Sequence, residues 1–406
     1  MLRQIPGGVT APRGYRASGV RCGLKSSGNL DLALVVSDAP ASVAGVFTTN
    51  QVQAAPVLLS REVAARGAAR AVIFNAGNAN CCAPNDMAHA RRMQTDTAAA
   101  LGLSAEEVLV CSTGVIGHEL PVEKITVALP EAVRQLRVEG AADAARAIMT
   151  TDTRPKEIAV ELTLPEGPVR VGGMCKGSGM IAPNMATMLA CLTTDAALEP
   201  PALREMLATV AQHTFNCVTV DGDTSTNDTL LLFANGQAGP AATAFANDRP
   251  DGRENRRALY EAVEHVCTFL AREIARDGEG ATRLVEVTVT GAADAAAADA
   301  VARTIANSPL VKTAIFGQDP NWGRILAAAG RAGVTLDPGQ VTVRIGEVTV
   351  FRHGLAVPFA PEAAQAAFAA PEVAITVDLG AGSASQRIWT CDFTYDYVRI
   401  NAEYHT

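Results

Sequence analysis

The sequence lacks the features that mark nucleic-acid, membrane and nucleotide-binding proteins. Its 406 residues contain no Lys/Arg-rich run, and the formal net charge of -8 gives a surface that repels phosphate backbones. It has no apolar run of about 18 residues and no apolar signal-peptide core in residues 1–20, so we expect a cytoplasmic protein. The glycines match neither GxGxxG nor GxxxxGK[ST], which argues against a dinucleotide or P-loop nucleotide.

Metal-binding and disulfide patterns are missing as well. The nine cysteines are odd in number, scattered and without a CxxC spacing, so we predict buried, reduced thiols. The six histidines include no HExxH pair. Asp221, Asp223 and Asp228 lie in VDGDTSTNDT, but their spacing departs from that of a calcium-binding EF-hand loop. We therefore predict no metal site.

The hydrophobic pattern indicates a mixed α/β chain. With 48% hydrophobic and 19% charged residues, a chain of this length can bury a large core and form two lobes. We expect layered sheets flanked by helices, and a surface loop over residues 236–252. The expected strands are 30–36, 71–75, 108–112, 283–290 and 341–351, and the expected helices are 87–101, 122–149, 202–212, 253–275 and 292–306.

The most informative segment is KGSGMIAPNMATMLACLTTD, from Lys176 to Asp195, where a glycine-rich loop enters an apolar, strand-like run at Thr187. A threonine hydroxyl is a weak nucleophile, but an N-terminal threonine can use its own α-amine as the base. Attack of the Thr187 hydroxyl on the Ala186 carbonyl, followed by ester hydrolysis, would release such a terminus. From residue types alone, Thr187 could equally be the first residue of a buried strand.

Several blocks of this sequence resemble the ornithine acetyltransferase (glutamate N-acetyltransferase) family. Within the central segment, KGSGMIAPNMATML is similar to the family's cleavage and nucleophile segment. The other blocks are PGGVTAPRGYRASGV, VAGVFTTNQVQAAPV, FNAGNAN, STGVIG, VDGDTSTNDT, DGEGATR, FGQDPNWGRI and YVRINAEYHT, so the resemblance covers essentially the whole chain. Ala83-Pro84 and His405 depart from the family's usual residues.

The resemblance implies an enzyme that cleaves itself between Ala186 and Thr187 into an α chain, 1–186, and a β chain, 187–406. These would form an N-terminal-nucleophile-like fold of two interleaved lobes and assemble as α2β2. The acetyl group of N2-acetylornithine would pass to Thr187 and then to L-glutamate, giving ornithine and N-acetylglutamate. No cofactor is implied, although acetyl-CoA also acetylates some members.

Roles for further residues follow from the same resemblance. The Thr113 hydroxyl and the Gly114 N–H would form the oxyanion hole, where preorganised donors stabilise the developing charge. The family's substrate contacts correspond to Thr153, Lys176, Thr187, Glu279, Asn401 and Thr406. We expect Lys176 on a flexible loop facing a substrate carboxylate, Glu279 facing an ammonium, and a β-like tail, 395–406, that docks at the site.

Two other functions use the same features. An N-terminal-nucleophile amidase or aminopeptidase would pass the acyl group to water, whereas the transferase would require glutamate. An uncut binding or scaffolding protein would keep Thr187 internal, and replacing Thr187 with alanine would then change neither chain length nor function.

Overall fold

The computed structural model describes residues 2–182, 188–246, 249 and 251–403. Within these ranges, two β-sheets are flanked by helices, which confirms the mixed α/β prediction. No helix in the described ranges is long and apolar enough to cross a membrane.

The strands are β1 (Leu2–Ile5), β2 (Tyr15–Val20), β3 (Leu32–Phe47), β4 (Ala68–Asn78), β5 (Val108–Val115), β6 (Lys156–Leu164), β7 (Gly167–Lys176), β8 (Leu189–Thr194), β9 (Thr229–Ala234), β10 (Leu284–Ala292), β11 (Thr342–Ile345), β12 (Val348–Arg352), β13 (Leu355–Ala356), β14 (Glu372–Asp378) and β15 (Ala384–Cys391). The α-helices are α1 (Ala55–Arg66), α2 (Asp86–Leu101), α3 (Val122–Arg134), α4 (Ala141–Ala147), α5 (Pro200–His213), α6 (Gly252–Arg276), α7 (Ala295–Ala306), α8 (Pro309–Phe316), α9 (Trp322–Gly330), α10 (Pro361–Ala369) and α11 (Tyr395–Glu403).

The first sheet has nine strands in the order β1-β6-β7-β8-β9-β3-β4-β5, with β2 also paired to β3. Strands β8 and β9 run parallel at its centre, and all of their residues are buried. Both read as continuous apolar runs because the sheet is covered on both faces. Helix α6 packs on β6 and β7, and α4 packs on β2 and β3.

The second sheet has six strands in the order β13-β12-β11-β14-β10-β15, and all of them follow residue 187 in the chain. The first sheet instead combines seven strands from before residue 187 with β8 and β9 from after it. The register pairs Lys176 of β7 with Leu189 of β8, and Leu189 with Thr229 of β9. The segments on either side of residue 187 therefore share one sheet and one core.

The predicted helix over residues 122–149 is wrong as a single element. Helix α3 contains Pro130 and ends at Arg134, and α4 begins only at Ala141. Between them, Arg137 is extended and exchanges two backbone hydrogen bonds with Ala17, of 3.0 and 3.1 Å. Pairing with a distant strand overrides the local helical preference here.

Two other predicted elements also differ from the structure. Residues 341–351 form the hairpin of β11 and β12, which turns at Gly346 with φ +55°, a conformation that favours glycine. The tail expected to be β-like is helix α11. The predicted surface loop over 236–252 contains a short 3-10 turn, Gly239–Thr243, and the described residues of that loop carry no site residue.

Candidate active site

A cavity of about 270 Å³ brings together five predicted site residues from four separate parts of the chain. Thr113 and Gly114 lie near the end of β5, and Lys176 is the last residue of β7. Glu279 lies between α6 and β10, and Asn401 lies in α11. The other lining residues are Ala79, Ile116, Thr150, Thr151, Gly179, Met180, Ser225 and Asn227.

Gly114 has a backbone that only glycine accommodates well. Its φ is +131°, and a Cβ atom would lie 2.5 Å from the Asn78 nitrogen, far inside van der Waals contact. The close approach follows from the parallel pairing of β4 with β5, in which Gly77 lies opposite Gly114. An N–H at such a position can face a reacting carbonyl oxygen because no side chain stands in front of it.

Lys176 is not on a flexible loop, as the sequence suggested, but on a buried strand with 2% of its surface exposed. Burial lowers the pKa of its ammonium, while the nearby carboxylates of Asp152, Glu279 and Asp228 act in the opposite direction. These carboxylates come from distant parts of the chain. The lysine therefore presents a desolvated positive charge to the cavity, where a substrate carboxylate would bind strongly.

Glu279 faces the same cavity from a tight turn. Its N–H donates to the Ser178 carbonyl at 2.9 Å, and the Nδ2 of Asn401 donates to its Oε2 at 2.8 Å. Only 9% of Glu279 is exposed. The cavity thus holds a carboxylate and an ammonium on different elements, an arrangement suited to a small zwitterionic ligand.

Beneath the cavity, Lys156 forms a buried ion cluster with two aspartates. Its Nζ lies 2.7 Å from Asp152 Oδ1 and 2.5 Å from Asp277 Oδ2. Burial acts to raise the pKa of Asp152, but the charges of Lys156 and Lys176 and the Gly177 N–H together hold that pKa well below its usual value. Asp152 Oδ1 also accepts from the Gly177 N–H at 2.7 Å, so the cluster fixes the backbone that follows Lys176.

The structure places Thr153 away from the lining of the cavity. It is exposed, its N–H donates to Asp277 Oδ2 at 3.1 Å, and its hydroxyl also bonds to Asp277. Thr150 and Thr151 line the cavity instead. We therefore correct the substrate contact predicted at Thr153, because the ion cluster engages this residue.

Ala186, Thr187 and Thr406 lie outside the described residues. Met188, the next residue after Thr187, is described, and its N–H donates to the carboxyl Oδ1 of Asp228 at 3.0 Å. In turn, the Thr229 N–H donates to the Met188 carbonyl at 3.0 Å, at the start of the β8–β9 pairing. The first strand residues after the predicted nucleophile are therefore firmly held.

Sequence reasoning missed two aspartates that the structure places beside this region. Asp228 is fully buried, and its Oδ2 has no hydrogen-bond partner in the described part of the chain. Burial raises the pKa of Asp228 well above its usual value. Asp221 accepts from the N–H groups of Met180 and Ile181 at 2.6 and 2.9 Å, which fixes the loop leading toward residue 183. The spacing of VDGDTSTNDT was weighed only as a metal-binding pattern, and it could not reveal these contacts, since the partners of both carboxylates lie about 40 residues earlier.

Among the described residues, no group of three or more His, Cys, Asp or Glu side chains could hold a metal ion. All nine cysteines are free thiols, and Cys82 is exposed.

The layered α/β fold, with a polar cavity that holds a buried lysine and a carboxylate, is typical of an enzyme. Comparison with known sequences then identifies its family. The model of the ArgJ family matches residues 16–406, so the chain belongs to the ArgJ family. The family predicted from the sequence blocks is confirmed.

Relatives match along the full length. The "Arginine biosynthesis bifunctional protein ArgJ" of Thermosynechococcus vestitus is 51% identical, with 100% of this chain and 99% of the relative covered. The protein of the same name from Symbiobacterium thermophilum is 48% identical, with 100% of both chains covered. Among solved structures, the ArgJ protein of Bacillus halodurans is 43% identical with a TM-score of 0.48, covering 52% of this chain and 97% of that chain. The ornithine acetyltransferase of Mycobacterium tuberculosis, solved with ornithine, is 44% identical with a TM-score of 0.43, covering 47% of this chain and 100% of that chain.

Proposed function

We propose that this protein is a glutamate N-acetyltransferase that moves the acetyl group of N2-acetylornithine to L-glutamate. The products are ornithine and N-acetylglutamate. The observation that carries the proposal is the convergence of Thr113, Gly114, Lys176, Glu279 and Asn401 on one cavity. Membership of the ArgJ family supports the same reaction over the amidase and scaffold alternatives.

The reaction proceeds in two halves through an acetyl ester of Thr187. The Thr187 hydroxyl attacks the acetyl carbonyl and gives its proton to the Thr187 α-amine, while the Thr113 hydroxyl and the Gly114 N–H hold the oxyanion. The C–N bond then breaks, and the proton passes to the departing amine of ornithine. Glutamate reverses these steps: its amine attacks the ester, and the Thr187 hydroxyl is restored.

The charges in the cavity suit the two ends of N2-acetylornithine. This substrate carries a carboxylate next to the acetylated nitrogen and an ammonium at the end of its side chain. The buried Lys176 ammonium pairs with the carboxylate, and Glu279, oriented by Asn401, pairs with the ammonium. Charge-assisted contacts of this kind contribute about 1.5–3 kcal/mol each.

The nucleophile arises by self-cleavage between Ala186 and Thr187, which leaves an α chain, 1–186, and a β chain, 187–406. The shared first sheet supports this proposal, because its interleaved strands would hold the two products together after the cut. We propose an α2β2 assembly, with Thr153 outside the substrate contacts and Thr406 among them. Acetyl-CoA is a second acetyl donor to Thr187, and the chemistry requires no bound cofactor.

The proposed location is the cytoplasm. Nine free thiols support it, because extracellular proteins rarely keep so many cysteines unpaired.

The test is a transfer assay with N2-acetylornithine and isotopically labelled glutamate. The proposal predicts labelled N-acetylglutamate and ornithine in equal amounts, with no product from the Thr187→Ala variant. Release of acetate without glutamate dependence would identify a hydrolase. If the natural protein and the Thr187→Ala variant are both uncut and both form no product, the protein is an uncut scaffold.

A further inference from the structure

Two adjacent cysteines lie on the loop behind the wall of the active-site cavity. The Sγ atoms of Cys81 and Cys82 are 3.6 Å apart. Cys82 is exposed, whereas only 1% of Cys81 is exposed. Six of the other cysteines are buried and Cys22 is half-buried, so this pair is where an oxidant in solution can reach two thiols together.

The loop that carries this pair has an unusual backbone. Asn80, Cys82 and Asn85 have positive φ values of 48°, 55° and 61°, which non-glycine residues rarely adopt. Within this loop the two sulfur atoms lie side by side. Cys82 is exposed and Cys81 is buried, so Cys82 is the first of the two to meet an oxidant.

The loop is bonded directly to the wall of the cavity. The Ala79 carbonyl accepts from Asn227 Nδ2 at 2.7 Å, and both residues line the cavity. The Ala79 N–H donates to the Val115 carbonyl at 2.8 Å, one residue beyond Gly114. The Gly117 N–H donates to the Cys81 carbonyl at 2.9 Å, three residues beyond Gly114. A change at Cys81 therefore reaches the oxyanion-hole side of the cavity through two short hydrogen-bonded paths.

We propose that Cys81 and Cys82 form a reversible dithiol–disulfide pair whose oxidation deforms the cavity wall and slows acetyl transfer. The effect on transfer rests on the proposed function, whereas the thiol chemistry does not. The oxidant class is a peroxide. The Cys82 thiolate attacks a peroxide oxygen, and the O–O bond breaks to give a Cys82 sulfenic acid and an alcohol or water. The Cys81 sulfur then attacks the Cys82 sulfur; the S–S bond forms, the S–O bond breaks, and the hydroxyl leaves as water with the Cys81 proton. Two electrons pass from the two thiols to the peroxide.

The geometry explains why this disulfide would be both disruptive and reversible. The sulfur atoms must approach from 3.6 Å to about 2.05 Å. Neighbouring Cα atoms are about 3.8 Å apart across a trans peptide, below the usual disulfide range of about 4.4–6.8 Å. The ring therefore strains the 81–82 peptide, and this strain acts on the hydrogen bonds of Ala79 and of the Cys81 carbonyl. Strained disulfides are easily reduced, as expected of a switch in a reducing compartment.

The experiment exposes the purified full-length protein to equimolar hydrogen peroxide, alkylates the remaining thiols and analyses tryptic peptide 71–91, whose only cysteines are this pair. In the oxidised protein, peptide 71–91 should be lighter by two hydrogen atoms and should carry no alkyl group. After dithiothreitol treatment and a second alkylation it should carry two alkyl groups. Acetyl transfer should fall at least about 10-fold and recover with dithiothreitol. The Cys82→Ser variant should keep its activity in peroxide, whereas Cys22→Ser should behave like the natural protein.

Three results would overturn the proposal. If peptide 71–91 keeps two alkylatable thiols, the pair does not close. If the disulfide forms but the transfer rate is unchanged, or if Cys82→Ser loses activity in peroxide as the natural protein does, the pair does not control the cavity. A protein without transfer activity before oxidation would refute the proposed function, while the peptide masses would still decide the disulfide.

Discussion

Replacing Gly179 with alanine should weaken binding of N2-acetylornithine without unfolding the protein. Gly179 has no left-handed backbone, and the three atoms nearest to an added Cβ all belong to the carboxyl group of Glu279, inside van der Waals contact. The backbone can therefore stay while the flexible Glu279 side chain moves away. That movement breaks the 2.8 Å hydrogen bond from Asn401 and removes the carboxylate from the place where we propose that it pairs with the substrate ammonium.

The size of the effect follows from the contact that is lost. A charge-assisted hydrogen bond contributes about 1.5–3 kcal/mol, which corresponds to about a 10- to 100-fold lower kcat/KM. Most of the loss should appear in KM, because the proposed contact of Glu279 is with the substrate end remote from the reacting carbonyl. The assay compares N2-acetylornithine with N2-acetylnorvaline, which lacks the side-chain ammonium. The Gly179→Ala penalty should disappear with N2-acetylnorvaline.

The control is Gly330→Ala, at the exposed end of α9, where an added Cβ meets no atom within 4 Å. This variant should match the natural protein with both substrates. An equal loss for both substrates in Gly179→Ala would show that the cavity as a whole is damaged. An unchanged kcat/KM for N2-acetylornithine would refute the role assigned to Glu279.

Three further predictions concern the charged groups around the cavity. Lys156→Met leaves Asp152 and Asp277 buried without their cation and should lower the free energy of unfolding by about 3–5 kcal/mol. The measurement is urea unfolding in the uncut Thr187→Ala background. An unchanged urea midpoint would contradict this prediction. Asp228→Asn keeps an acceptor for the Met188 N–H but removes a buried acid beside the nucleophile segment. Self-cleavage and acetyl transfer should therefore each slow by about 10-fold or more. Unchanged rates would exclude a role for the Asp228 carboxyl group in proton transfer. Burial lowers the pKa of Lys176 below 10.5, so its ammonium is lost as pH rises and KM should increase at a lower pH than an ordinary lysine would give. Lys176→Arg, which stays charged, should lack this alkaline rise, and an identical profile in that variant would assign the titration to another group.

Much of the fold could be predicted because local pattern and tertiary structure agree. The apolar spacing from Arg253 to Ala275 corresponds to α6, whose buried residues include Leu259, Val263, Val266 and Leu270, one face of a helix. The break between α3 and α4 could not be predicted in this way, since it depends on backbone pairing with Ala17, over a hundred residues earlier.

The candidate site also combines residues that could be predicted from the sequence with features that could not. Glycine-flanked Thr113, Lys176 and Glu279 stand out in sequence, and all three line the cavity. The burial of Lys176 does not stand out, because the surrounding carboxylates come from segments about 25 to 100 residues away. Thr153 was chosen over its neighbours by motif alone, and only the position of Asp277 reveals that its hydroxyl faces the ion cluster.

The most direct test of the account is the intact mass of the denatured protein, measured before and after brief exposure to N2-acetylornithine. We predict two chains, with residues 187–406 gaining the mass of one acetyl group and residues 1–186 unchanged. A single uncut chain of 406 residues, or a cut chain that gains no acetyl group, would contradict the acetyl-threonine mechanism.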